Sequence, residues 1–233
     1  MTLRYRELLL LLVGAAACGA EARPSELASP ARGALAPPTE QSAPAGAPLV
    51  VFLGDSVSAG LHLDPEDAFP AVAHRRLAAE GVLFRLVNAG VSGDTSAGGL
   101  RRLDWLLEQD PAVLVLELGG NDGLRGQPPL EIEARLRQIV ERAQAAGVRV
   151  LLLGVRLPPS LGAEYVREFE ALYPRLADEL DCACVPFFME GAAGVPGGMQ
   201  ADGLHPTRAG HERIAAKVAP ALGELLEALT PPR

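Results

Sequence analysis

The stretch Val50–Gly60 reads VVFLGDSVSAG, and it decides how the rest of the chain is read. Val50, Val51, Phe52 and Leu53 form a strand-building run without a polar face. Such a run suits a parallel strand covered on both sides. It stops at Gly54-Asp55-Ser56, which places those residues at the carboxyl edge of a sheet, where open α/β folds bind ligands. A serine there reads in two ways: as a nucleophile exposed at the edge, or as the cap of a following helix.

Working outward, the same kind of run recurs as LFRLVN (83–88), AVLVLEL (112–118), VRVLLLG (148–154) and ACVPF (183–187). Helical spacing fills the gaps. Phe69, Val72, Arg76 and Leu77 mark a first helix, and Leu100, Leu103, Leu106 and Leu107 a second. Ile132, Leu136, Ile139 and Val140 mark a third, stopped by Gly147. Phe169, Leu172, Leu176 and Leu180 mark a fourth; a fifth opens at Pro206 and runs towards Leu229, with Pro220 expected to kink or split it. Strands alternating with helices predict an α/β fold with a parallel sheet covered on both faces.

The loops after the strands then share one edge. They hold GDSVSAG (54–60), NAGVSGDTSAGG (88–99), GGNDGLRG (119–126), RLPPSLGAEY (156–165) and the stretch from FFME (187–190) to DGLHP (202–206). A serine nucleophile needs a base, and the base an orienting carboxylate. Of the four histidines, His74 and His211 lie inside helical segments and read as surface residues, while His62 sits in the loop after the first motif. His205 follows Asp202 by three residues on a turn that Gly203 lets bend, so Asp202 either orients His205 or caps the last helix. Acyl transfer also needs donors for a developing oxyanion. The backbone N–H groups of Ser56 and Gly93 and the side chain of Asn121 are suited to that, or else Gly93 and Asn121 are turn residues.

Gly-Asp-Ser, Ser-Gly-Asp, Gly-Asn-Asp and Asp-x-x-His, in that order from about Leu49 to Leu229, resemble the SGNH, or GDSL, hydrolase family. The filler around them, LGDSVSAG (53–60), NAGVSGDTSAGGLRRL (88–103), ELGGNDGLRG (117–126), LPPSLGAEYVREFEALYPRLA (157–177), PFFME (186–190) and MQADGLHP (199–206), is most similar to its bacterial periplasmic branch of acyl-CoA thioesterases, lysophospholipases and arylesterases. The resemblance implies a three-layer α/β/α sandwich around a five-stranded parallel sheet, flavodoxin-like in outline. It implies a catalytic Ser56, His205 and Asp202, an oxyanion hole from Ser56, Gly93 and Asn121, and Ser58 supporting the turn. It implies a monomeric esterase acting on small-molecule acyl esters and thioesters, with no cofactor and no metal. A carbohydrate O-acetyl esterase on the same scaffold is the alternative.

Other classes fit less well. The chain has 233 residues, 48% hydrophobic and 21% charged, with a net charge of -8. No basic run interleaved with aromatics suggests nucleic acid. Neither G-x-G-x-x-G nor G-x-x-x-x-G-K-[ST] occurs. The G-x-S-x-G elbow of α/β-hydrolases is absent around Ser56. A metal-dependent phosphoesterase would draw on Asp55, Asp94, Asp122, Asp202 and His205, residues that turns and the triad explain better.

The N-terminus is read separately. Arg4 and Arg6 precede LLLLLVGAAAC (8–18), the layout of an export signal over residues 1–17. Small residues before Cys18 resemble a lipobox with Ala15 in place of the usual leucine, which predicts lipidation of Cys18 and a place at the periplasmic face of a membrane; plain secretion is the alternative. Residues 18–48, rich in Ala, Pro, Ser and Gly, read as a disordered tether spanning on the order of 30 Å, followed by the hydrolase domain over 49–229. Cys182 and Cys184, two apart on a strand, read as small buried hydrophobes rather than a disulfide.

Overall fold

The computed structural model describes residues 39–41, 43–44 and 46–229. The export signal, Cys18 and most of the segment read as a tether lie outside the described residues.

Five parallel strands carry the sheet. β2 (Leu49–Gly54) is central, with β3 (Arg85–Asn88) on one side and β4 (Val113–Glu117), β5 (Arg149–Leu153) and β6 (Ala183–Val185) on the other. All residues of β2 and β4 are buried, as their unbroken apolar runs require. A sixth strand, β1 (Thr39–Gln41), pairs antiparallel with β3, Glu40 opposite Val87. This corrects the disordered reading for these three residues: the open edge of β3 offers backbone partners to a stretch that has no hydrophobic pattern of its own.

Helices cover the sheet in two layers. α2 (Phe69–Ala79) packs on α7 (Arg208–Glu227), while α5 (Pro129–Ala145) packs between α3 (Ser96–Leu107) and α6 (Ala163–Leu180). Two shorter helices, α1 (Ser56–Ala59) and α4 (Gly120–Leu124), follow β2 and β4 directly. Among the described residues no helix is long and apolar enough to cross a membrane.

Three local expectations change. α7 is one continuous helix through Pro220. Its inner face, with Ile214, Val218 and Leu222 fully buried, holds it together, and Pro220 faces solvent. His211 is not a surface residue but 1% exposed, its Nδ1 accepting the Phe69 N–H at 3.0 Å. Ala68 supplies no side-chain cap to α2, so α7 provides the acceptor that the first turn of α2 lacks. Cys182 and Cys184 are free thiols, as read, but only half-buried because β6 is an edge strand. Burial pushes them up to about 11 and about 12, so neither is a thiolate at neutral pH.

Candidate active site

β2 delivers Ser56 to the sheet edge as the first residue of α1. Asp55 caps that helix, its Oδ1 accepting the Val57 N–H at 2.9 Å. The cap is therefore Asp55 and not Ser56, which leaves the Ser56 hydroxyl free for other work. It lies 2.8 Å from His205 Nε2, and His205 Nδ1 lies 2.6 Å from Asp202 Oδ2.

Asp202 does not cap α7. Thr207 does, accepting the Gly210 N–H. Asp202 Oδ1 instead accepts the N–H groups of Leu204 and His205, at 2.9 and 3.0 Å. The backbone N–H of His205, its ring and the N–H of Leu204 hold the Asp202 carboxyl well below the usual carboxylate range. An ionised Asp202 accepts from Nδ1–H, so the proton sits on Nδ1 and Nε2 is the acceptor for the serine hydroxyl. That is the arrangement a serine needs in order to lose its proton.

Asn121 is in the first turn of α4, beside this pair. Its Nδ2 donates one hydrogen to Asp55 Oδ2 at 2.9 Å, and its second hydrogen remains available. Gly93 lies on the neighbouring loop, outside the wall of the pocket that Ser56, Asn121 and His205 share. It adopts φ +79°, which favours glycine, and its N–H has no acceptor among the described residues. The buried acids Asp55 and Glu117 line the pocket too, with Leu124, Val155, Leu157, Phe188, Met189 and Leu204 giving it a mostly apolar face beside Arg156.

Glu117 escaped the sequence reading. It ends β4, is 1% exposed, and its Oε2 accepts the Ser58 hydroxyl at 2.7 Å and the N–H groups of Asp55 and Ser58 at 3.1 and 3.3 Å. Ser58 thus supports the turn, as expected, but through this acid. A Cβ at Gly54 would lie 2.0 Å from the Ser58 hydroxyl and 2.6 Å from Glu117 Oε2, so only glycine allows the grip. Burial, followed by the charge of Asp55, pushes Glu117 well above its ordinary value; burial likewise pushes Asp55 up to about 6. The one available signal was a lone glutamate inside the apolar run VLVLEL (113–118).

Arg102 was missed too. It donates to the carbonyls of Gly54 and Ala89 and pairs with Asp94 at 2.9 Å, joining the ends of β2 and β3. The acids weighed as metal ligands are thus engaged separately: Asp94 with Arg102, Asp122 with Ser96, Asp202 with His205. Among the described residues no group of three or more His, Cys, Asp or Glu is placed to hold a metal ion. His62 is exposed, 3.2 Å from Gln200 Oε1, and takes no part in the serine–histidine contact.

An α/β sandwich with a serine, a histidine and an aspartate in line at its carboxyl edge defines a hydrolase of the serine class. Residues 52–213 match the GDSL-like lipase/acylhydrolase family, and the chain belongs to it. Esterase TesA of Pseudomonas aeruginosa is 49% identical over 181 residues, 77% of this chain and 90% of that protein. Thioesterase 1/protease 1/lysophospholipase L1 of Escherichia coli K12 is 43% identical over 181 residues, 77% of this chain and 86% of that protein. A crystal structure of TesA aligns with a TM-score of 0.74 at 48% identity, over 76% of this chain and 99% of that one.

Proposed function

We propose that this protein is a serine esterase that hydrolyses carboxylic esters and thioesters through an acyl-enzyme. The observation that carries the reading is the continuous contact from Asp202 through His205 to Ser56 Oγ. In the first half-reaction Ser56 Oγ attacks the acyl carbon and its proton passes to His205 Nε2. The tetrahedral intermediate collapses, the C–O or C–S bond breaks, and Nε2 returns the proton to the departing alcohol or thiol. Water then repeats the sequence and frees the acid. Asp202 stabilises the imidazolium that forms in each half.

The N–H groups of Ser56 and Gly93 and the second Nδ2 hydrogen of Asn121 receive the oxyanion. Such donors act where charge develops and so favour the transition state over the ground state. The apolar pocket wall suits an acyl chain, which agrees with the named activities of the relatives, esterase and thioesterase/lysophospholipase. Export by residues 1–17 and lipidation of Cys18 belong to the same proposal, with the domain held near a membrane; intact mass of membrane-extracted protein, wild type against Cys18→Ser, tests it.

A hydrolysis panel of short and long p-nitrophenyl esters, acyl-CoA, lysophospholipid and acetylated sugar tests the activity. Turnover of the aryl ester or acyl substrates is expected; turnover of acetylated sugar alone would shift the reading to a carbohydrate O-acetyl esterase. A fluorophosphonate should label wild type and Ser58→Ala but not Ser56→Ala. Persistent labelling of Ser56→Ala would sink the assignment of the nucleophile.

A further inference from the structure

Gly93 and Asn121 come from different loops, so chain connectivity does not set the distance between them. The segment that begins at Asn121 reaches the Gly93 loop at two points. Asp122, fully buried, accepts the Ser96 N–H at 2.8 Å and the Ser96 hydroxyl at 2.6 Å, three residues beyond Gly93. Arg135 braces this bridge: its Nε donates to the Ser96 hydroxyl at 2.8 Å and its Nη2 lies 3.4 Å from Asp122. Arg125, exposed just past α4, donates to the Gly93 carbonyl at 3.2 Å. The Asp94 N–H, at the other end of the same peptide, is donated to the Val91 carbonyl at 3.0 Å.

Peptides flanking a glycine turn readily because no Cβ restrains them. With both ends of the 93–94 peptide held, Gly93 is restrained on its carbonyl side, while its own N–H, in the preceding peptide, stays unengaged. We propose that the Asp122–Ser96 and Arg125–Gly93 bonds form a clamp that sets the spacing of the two oxyanion donors, making Asp122 and Arg125 positioning residues. The inference rests on the reading of Gly93 and Asn121 as those donors. The Arg125 guanidinium is always charged, so its bond to the Gly93 carbonyl is of the stronger, charge-assisted kind. Donor placement matters steeply: an error of one ångström costs up to about 10²-fold in rate.

Arg125 makes the clean test because it is exposed and its loss should not unfold the protein. On p-nitrophenyl butyrate, an uncharged substrate, Arg125→Ala should lower kcat by about tenfold, partial release of one donor, with KM and melting temperature unchanged. Arg125→Lys should recover part of the loss, since its ammonium also donates. Ser96→Ala should lower kcat as well, together with the melting temperature. Asn121→Ala, measured alongside, separates the two ideas: unchanged kcat in a stable Asn121→Ala would remove the oxyanion reading itself. Loss in Asn121→Ala with normal kcat in Arg125→Ala would overturn the clamp and leave that reading standing. A change in KM confined to acyl-CoA would make Arg125 a substrate contact and likewise overturn the clamp.

Discussion

Asp202 and Glu117 each accept three hydrogen bonds in the same site, yet they are pushed in opposite directions. Asp202 is on an exposed turn, and its three donors hold it below the usual carboxylate range. Glu117 is buried, and its three donors fail to offset that burial, which raises it. The number of hydrogen bonds does not set the direction of the shift. Access to water does, because removing a carboxylate from water costs more than neutral donors return. Under the proposed mechanism the exposed acid would stand as an anion beside a transient imidazolium, while the buried one is an acceptor that grips the turn carrying Ser56.

The largest effect that tests this contrast is expected at the exposed acid. Asp202→Asn keeps the shape but removes the anion, and by the precedent of other triads kcat should fall by about 10³–10⁴ with little change in melting temperature. A fall of less than about tenfold, roughly 1.4 kcal/mol, would mean that Asp202 does not work as the anion of a triad.

Two variants of Glu117 come next, read by urea denaturation at neutral pH. Glu117→Leu strands two N–H groups and a hydroxyl and should cost roughly 2–4 kcal/mol. Glu117→Gln keeps an acceptor oxygen and should stay within about 0.5 kcal/mol of wild type. If the glutamine variant is as unstable as the leucine variant, Glu117 carries a charge in the folded protein and the contrast with Asp202 collapses.

A further effect concerns a base under the same rule. Burial lowers His211 from its ordinary 6.5 to about 4, so the fold holds it neutral. Between those values the unfolded chain binds the extra proton and the native state does not. Stability from this group is complete above about pH 6.5, is lost as pH falls towards about 4, and changes no further below that. His211→Gln keeps an acceptor for Phe69 without titrating, and it should flatten stability against pH across that window. An unaltered slope would show that burial does not govern this side chain.

Much of the site was legible because its elements are local. Three motifs at the ends of the consecutive strands β2, β3 and β4 and a fourth after the last strand must reach one edge if the sheet is parallel, and VVFLGDS (50–56) with VLVLEL (113–118) made it so. Asp202 and His205 share one turn, so their contact follows from spacing. Other features were not local. The edge strand β1 exists through backbone pairing with β3, which leaves no mark in a Pro- and Ala-rich composition. Pro220 stays inside α7 because buried neighbours outweigh the one hydrogen bond it removes.

The sequence by itself determined the order of elements, the edge that carries chemistry, and the serine, histidine and aspartate brought together there, because apolar period and turn chemistry act over a few residues. Only the tertiary structure decided which polar groups are gripped and which are free. Phe69 finds its acceptor on a helix 142 positions away, and Asp55 and Ser58 find theirs about 60 positions away. A buried donor must be satisfied by whatever the fold brings near it, and no local pattern specifies that neighbour.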